Sequence, residues 1–134
     1  MLTKEWIGGF ISGEGCFTFN TPNFAPLFCI TLSKKDIVLL NNIKESVGLG
    51  RVNIGKKNFS NIYQIHNAKN CSKFINYIDG HIKGDKLIDF ENWKLGVNLI
   101  SSKIKLKDLS KKEKKFIYSL KPRQNKKRKF ISSS

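Results

Sequence analysis

Trp6-Ile7-Gly8-Gly9-Phe10-Ile11-Ser12-Gly13-Glu14-Gly15-Cys16-Phe17 decides how this chain folds. The stretch reads as an amphipathic helix that runs directly into a strand. Leu2, Trp6 and Phe10 recur every four residues with Ile7 and Ile11 beside them, which predicts a helix over roughly Thr3 to Gly13. Gly9 and Gly13 are four apart and share one helix face, where no side chain would keep a second helix at a distance. Glu14 falls at the helix C-terminus, where the macrodipole disfavours an anion, so a carboxylate there implies a compensating cation. A close helix crossing that ends in a metal-ready acid is a specific combination.

Outward from this helix, Phe17 to Asn20 alternates as a strand, Thr21-Pro22-Asn23 turns the chain, and Leu27 to Leu32 returns. Ser33 with Asp36 three residues on reads as an approximate capping box for a helix whose apolar face is Ile37, Leu40, Ile43 and Val47; Gly48 ends it. A second strand pair follows, Leu49 to Ile54 and Asn61 to Asn67, joined by Gly55-Lys56-Lys57-Asn58. Asn70 to Ile78 is a short helix and Asp85 to about Lys103 a longer one, carrying Phe90, Trp93, Val97 and Ile100. Ser110 and Glu113 form a second capping box, opening a helix through Phe116, Ile117 and Leu120 that Lys121-Pro122 ends.

The order α-ββ-α-ββ-α, plus a basic C-terminal helix and tail, predicts an α+β fold. Its four strands form one antiparallel sheet with helices on one face. The other face is left solvated or occupied. Residues 1–120 read as a single domain and 121–134 as a basic tail.

The chain has 134 residues and a formal net charge of +15. That length supports one domain with a real core. The charge points to a polyanionic partner, nucleic acid before any membrane, and no apolar run is long enough to cross a bilayer. The charge is also uneven: 13 of the 25 Lys and Arg lie between Lys103 and Lys129, against only Asp108 and Glu113. Lysine far outnumbers Arg51, Arg123 and Arg128, and Asn and Ile are abundant, a bias that AT-rich codons produce. Met1-Leu2-Thr3-Lys4-Glu5-Trp6 has neither a secretory nor a transit character, so the chain is expected to work where it is made, in an organelle such as the mitochondrion. Cys16, Cys29 and Cys71, with His66 and His81, show no metal-ligand spacing and read as buried or half-buried small residues.

Ile7-Gly8-Gly9-Phe10-Ile11-Ser12-Gly13-Glu14-Gly15 resembles the motif that names the LAGLIDADG homing endonucleases. Phe28-Cys29-Ile30-Thr31, Asp36, Leu39-Leu40-Asn41, Val47-Gly48-Leu49-Gly50, Lys83-Gly84-Asp85-Lys86, Asp89-Phe90-Glu91-Asn92-Trp93, Leu109-Ser110-Lys111-Lys112-Glu113 and Asn125-Lys126-Lys127-Arg128 resemble its later segments in order. The likeness is closest to the second repeat of two-motif members, so the chain resembles half of such a protein. The resemblance implies that two motif helices pack at a pseudo-two-fold axis, and that the last acid of each binds a divalent ion, Mg²⁺, at a scissile phosphate. Here that acid is Glu14, with Lys86 matching a basic residue near the active site. One chain supplies one such acid, so cleavage needs a homodimer or a partner half.

Three departures bear on function. Ser12 occupies a position usually acidic in the motif, and Leu32 one where Gln commonly serves the active site. The connections Asn20 to Pro26 and Gly55 to Ser60 are short where the family's hairpins read base edges, although Arg51, Lys56 and Lys57 still suit phosphates. Lys121, Arg123, Lys126, Lys127, Arg128 and Lys129 add a basic tail for nucleic acid. These features lean towards a non-catalytic scaffold holding structured RNA, as an intron maturase or a component of an organellar ribosome or other ribonucleoprotein. The alternative is a Mg²⁺-dependent, site-specific endonuclease of double-stranded DNA.

Overall fold

A computed structural model of the chain describes residues 1–20, 23–55, 60–103 and 109–120. Helix α1, Lys4–Glu14, is capped by Thr3, whose hydroxyl accepts from the Trp6 N–H, and passes without a loop into β1, Gly15–Asn20. Strand β2, Ala25–Ser33, returns beside it. Ser33 does not cap a helix directly: its hydroxyl bonds the Asp36 carboxylate at 3.1 Å across a 3₁₀ turn, Lys34–Asp36, and α2 runs from Ile37 to Val47. Gly48 closes α2 in the left-handed conformation, φ 79°, as its position after the last apolar residue predicts. Strands β3, Arg51–Ile54, and β4, Ser60–His66, precede α3, Ala68–Ile78, α4, Asp85–Ser101, and α5, residues 111–120. The Ser110–Glu113 box forms reciprocally at the start of α5: Ser110 N–H donates to Glu113 Oε1 at 2.9 Å and Glu113 N–H to Ser110 Oγ at 3.1 Å.

The strands make one antiparallel sheet in the order β1-β2-β4-β3. Alternation divides its residues cleanly. Phe17, Phe19, Phe28, Ile30, Tyr63 and Ile65 point to the core and are fully buried or nearly so. Ile7 and Ile11 of α1, Phe74 and Ile78 of α3, and Phe90, Trp93 and Val97 of α4 cover them. The ring of Phe28 lies 4.4 Å from that of Phe74, and Phe17 lies 5.1 Å from Trp93. Each such buried side chain contributes roughly 1.5–3 kcal/mol. Trp93 Nε1 donates to the Thr18 carbonyl at 2.9 Å, so its polar atom is satisfied within the core.

Helices α1, α3 and α4 thus screen one face, and the expected bare face is left opposite. Among the described residues no helix is long and apolar enough to cross a membrane.

Candidate nucleic-acid interface

The bare face is built by the residues between the core positions. Register aligns them in rows across the strands. Cys16 opposes Cys29, Cys29 opposes Gln64, and Gln64 opposes Arg51, giving one row over all four strands. Thr18, Leu27 and His66 form the row on one side, and Thr31, Ile62 and Asn53 the row on the other. Four strands spaced about 4.8 Å apart make this surface roughly 14 Å wide, wide enough to lie along a DNA groove.

Its β3–β4 half is polar. Asn53 Nδ2 donates to Gln64 Oε1 at 2.8 Å, and His66 Nε2 donates to the same oxygen at 3.3 Å. Among the described residues the Gln64 amide N–H groups meet no acceptor, which leaves them for an outside one. A shallow cleft of about 340 Å³ is lined by Gly50, Arg51, Gln64, His66 and Asn70. Arg51 is the one residue of this group singled out by charge. Asn53, Gln64, His66 and Asn70 escape a search for basic residues, although the alternation of β3 and β4 puts the first three on Arg51's face.

The β1–β2 half is softer. The Cys29 thiol is pushed up from its ordinary value, first by its hydrogen bond with Cys16 and then by burial, so it is held protonated on this face. Cys71 lies in the core, donates to the Ile65 carbonyl at 3.6 Å, and burial pushes it up to about 12. None of the three cysteines forms a disulfide.

Glu14 is exposed at the junction of α1 and β1, beside the bare face. Lys86, in the first turn of α4, is buried. It is 7% exposed, and Nζ donates to the Gly15 carbonyl at 2.6 Å. It thereby fixes the backbone immediately after Glu14. Asp89, one turn on in α4, is equally buried. Among the described residues no group of three or more His, Cys, Asp or Glu gathers to hold a metal. The donor chemistry at Glu14, a solvent-facing carboxylate, suits a hard divalent cation.

Gly9 and Gly13 share an open face: among the described residues, a Cβ on either would meet nothing within 4 Å. Trp6, 42% exposed and stacked on Phe10 at 5.2 Å, flanks them. Gly8 has the opposite role, since a Cβ there would collide with the His81 carbonyl. The motif's glycines therefore divide between packing inside the chain and a face that no other described residue covers.

Ser12 and Leu32 also find places. Ser12 Oγ donates to the Gly8 carbonyl and accepts the Lys83 N–H, so the residue departing from the motif ties α1 to the loop before α4. Leu32 faces the helices, partly buried against the core and opposite the buried Asn61. Asn61 donates to the Lys34 carbonyl at 3.3 Å, while its buried Oδ1 has no partner among the described residues. Lys56, Lys57, Lys121, Arg123, Lys126, Lys127, Arg128 and Lys129 lie outside the described residues.

A family model of the LAGLIDADG endonuclease matches residues 7–97. Among solved structures, the LAGLIDADG meganuclease I-AabMI bound to uncleaved DNA is 28% identical with a TM-score of 0.79, over 90% of this chain and 44% of that one. The I-LtrWI LAGLIDADG homing endonuclease bound to target DNA is 27% identical with a TM-score of 0.78, over 90% of this chain and 43% of that one. The homing endonuclease I-TnaI, 24% identical with a TM-score of 0.66, shares the fold over 75% of each chain. The chain thus spans less than half the length of the first two. No curated protein matches it.

Proposed function

The chain belongs to the LAGLIDADG endonuclease family, and from that premise we propose that it is one half of a metal-dependent DNA endonuclease, active when its motif helix meets a second one. The observation that carries the proposal is the open face of α1, where Gly9 and Gly13 leave room for a helix and Glu14 ends that face beside the bare sheet. A second copy, or a partner half, placed against it brings a second carboxylate to the first and doubles the sheet surface.

The solved relatives bound to DNA support this reading over RNA binding, which the short hairpins and the lysine-rich end alone favour. On the sheet, Arg51 suits a guanine edge or a phosphate, and the free amide of Gln64 suits adenine. Glu14 would hold Mg²⁺ together with the acid of the partner helix and the phosphate oxygens. The ion supplies Lewis acidity for hydrolysis of the phosphodiester. Lys86 acts as a positioning residue, holding Gly15 so that Glu14 projects from a fixed helix end.

The test is cleavage of a randomised duplex library by the purified chain with Mg²⁺, beside its self-association by sedimentation. Cleavage that disappears in Glu14→Gln supports the proposal. A chain that binds duplex DNA and self-associates yet cuts no library member in Mg²⁺ or Mn²⁺ would be a binding module only.

A further inference from the structure

Helix α5 presents its charge on one side. Lys111, Lys114, Lys115 and Tyr118 fall at i, i+3, i+4 and i+7, with Lys112 beside them, while Ile117 and Leu120 are buried. Phe24, in the turn between β1 and β2, faces them across a groove of about 610 Å³ that these residues line. The one acid of the helix is already engaged: Glu113 accepts from Ser110 and pairs with Lys103 Nζ at 3.1 Å, contacts that hold its carboxyl below the usual range. Among the described residues none of the four lysines is in an ion pair.

We infer that this groove is a second backbone site, separate from the sheet face, which holds the sugar-phosphate backbone of duplex DNA flanking the segment on the sheet. The inference rests on the DNA reading above. Charge and shape agree with that occupant. Four lysines meet phosphates, while Phe24 and the 57%-exposed Tyr118 offer apolar walls to deoxyribose. Continuity agrees too. Phe24 directly precedes Ala25, which pairs with Asn20 at the outer rim of the bare face. Strand β1 leaves Glu14 and spans six residues to that rim. At about 3.3 Å per residue this end lies roughly 17–20 Å from Glu14. At about 3.4 Å per base step, that is five to six base pairs outward from the phosphate at Glu14.

The experiment is a salt titration of binding to a fluorescent 30-base-pair DNA duplex by the full chain. The site variant is Lys111→Gln/Lys112→Gln/Lys114→Gln/Lys115→Gln. A charge-matched control is Lys34→Gln/Lys35→Gln/Lys69→Gln/Lys73→Gln, whose exposed lysines lie outside both the groove and the bare face. The site variant should lower the slope of log K against log salt by about 3.6, near 0.9 for each of the four lost phosphate contacts, and the control by about one or less. Phe24→Ala/Tyr118→Ala should weaken binding severalfold with the slope unchanged. Unaltered circular dichroism of each variant shows that the fold is kept. A site variant with the same slope as the control overturns the groove while leaving the DNA reading standing. A wild-type chain that binds RNA duplex but not DNA overturns both.

Discussion

Ser12 and Lys83 are joined by a hydrogen bond that closes a long loop of chain: the Lys83 N–H donates to Ser12 Oγ at 2.8 Å. The same hydroxyl donates to the Gly8 carbonyl at 2.7 Å. Gly8 in turn packs on His81, two residues before Lys83. One turn of α1 thus holds the whole segment that leads into α4, and with it Lys86 and the Gly15 carbonyl that Lys86 grips.

Ser12→Ala removes the acceptor for Lys83 and should cost about 1 kcal/mol, the usual net value of one such bond. Ser12→Asp, the residue type common in the motif, keeps an acceptor there and should recover part of that loss, less a few tenths of a kcal/mol for an anion near a helix C-terminus. Urea unfolding of the three proteins checks the order wild type, Asp, Ala. An Ala variant as stable as wild type would show that the bond contributes nothing.

The motif glycines separate by variant. Gly8→Ala drives a Cβ into the His81 backbone and should destabilise the chain by about 1–3 kcal/mol. Gly9→Ala meets nothing and should stabilise the isolated chain by about 0.5–1 kcal/mol through helix propensity alone. The same Gly9→Ala should weaken self-association or pairing with a partner half, because the added methyl lies where a second helix must approach. Denaturation and sedimentation equilibrium read the two effects independently. Stabilisation with undiminished association would remove α1 as the contact face.

Stability should fall on the alkaline side. Burial raises Cys71 from the ordinary thiol value of 9.0 to about 12, and Cys29 and Tyr63 move the same way, the latter with its hydroxyl bound to the Leu49 carbonyl at 2.7 Å. The folded chain keeps these protons while the unfolded chain releases them. The contribution from Cys71 is therefore complete below pH 9 and lost as pH rises towards about 12, by about 1.4 kcal/mol per pH unit for a single group. Cys71→Ser, which does not titrate there, should flatten part of the decline between pH 9 and 10.5 in unfolding curves. An unchanged slope would mean that the thiol ionises in the fold as readily as in the open chain.

The elements were legible because their signals are local. The four-residue repeat of Leu2, Trp6 and Phe10, the glycine at 48 and the Ser110–Glu113 box each specify a helix or its end within a few residues. The sheet's bare face followed from strand count. The rows on that face were not legible, because the partnering of Cys29 with Gln64 and of Gln64 with Arg51 depends on register between strands far apart in sequence. The anchoring of Lys86 was not legible for a related reason. Its place at a helix start says nothing of burial, and only the return of α4 against the α1–β1 junction buries it on the Gly15 carbonyl. The roles of Gly8 and Gly9, adjacent and chemically identical, likewise depend on where His81 comes to lie.

Glu14 and Lys86 should fail in different ways, and the difference tests whether Lys86 acts through the backbone. Glu14→Gln removes an anion from a helix C-terminus, so it should leave stability unchanged or raise it by a few tenths of a kcal/mol, and it should hold or tighten DNA binding while cleavage drops at least about a hundredfold. Lys86→Met keeps the aliphatic stem but leaves the Gly15 carbonyl without its donor, which should cost about 1–3 kcal/mol of stability. Cleavage should then fall through kcat, with KM nearly constant, because Glu14 remains but its anchor has gone. Lys86→Arg restores a donor and should rescue part of both stability and kcat. If Lys86→Met instead raises KM with little loss of stability, the ammonium contacts the DNA itself, and its bond to Gly15 is not what cleavage depends on.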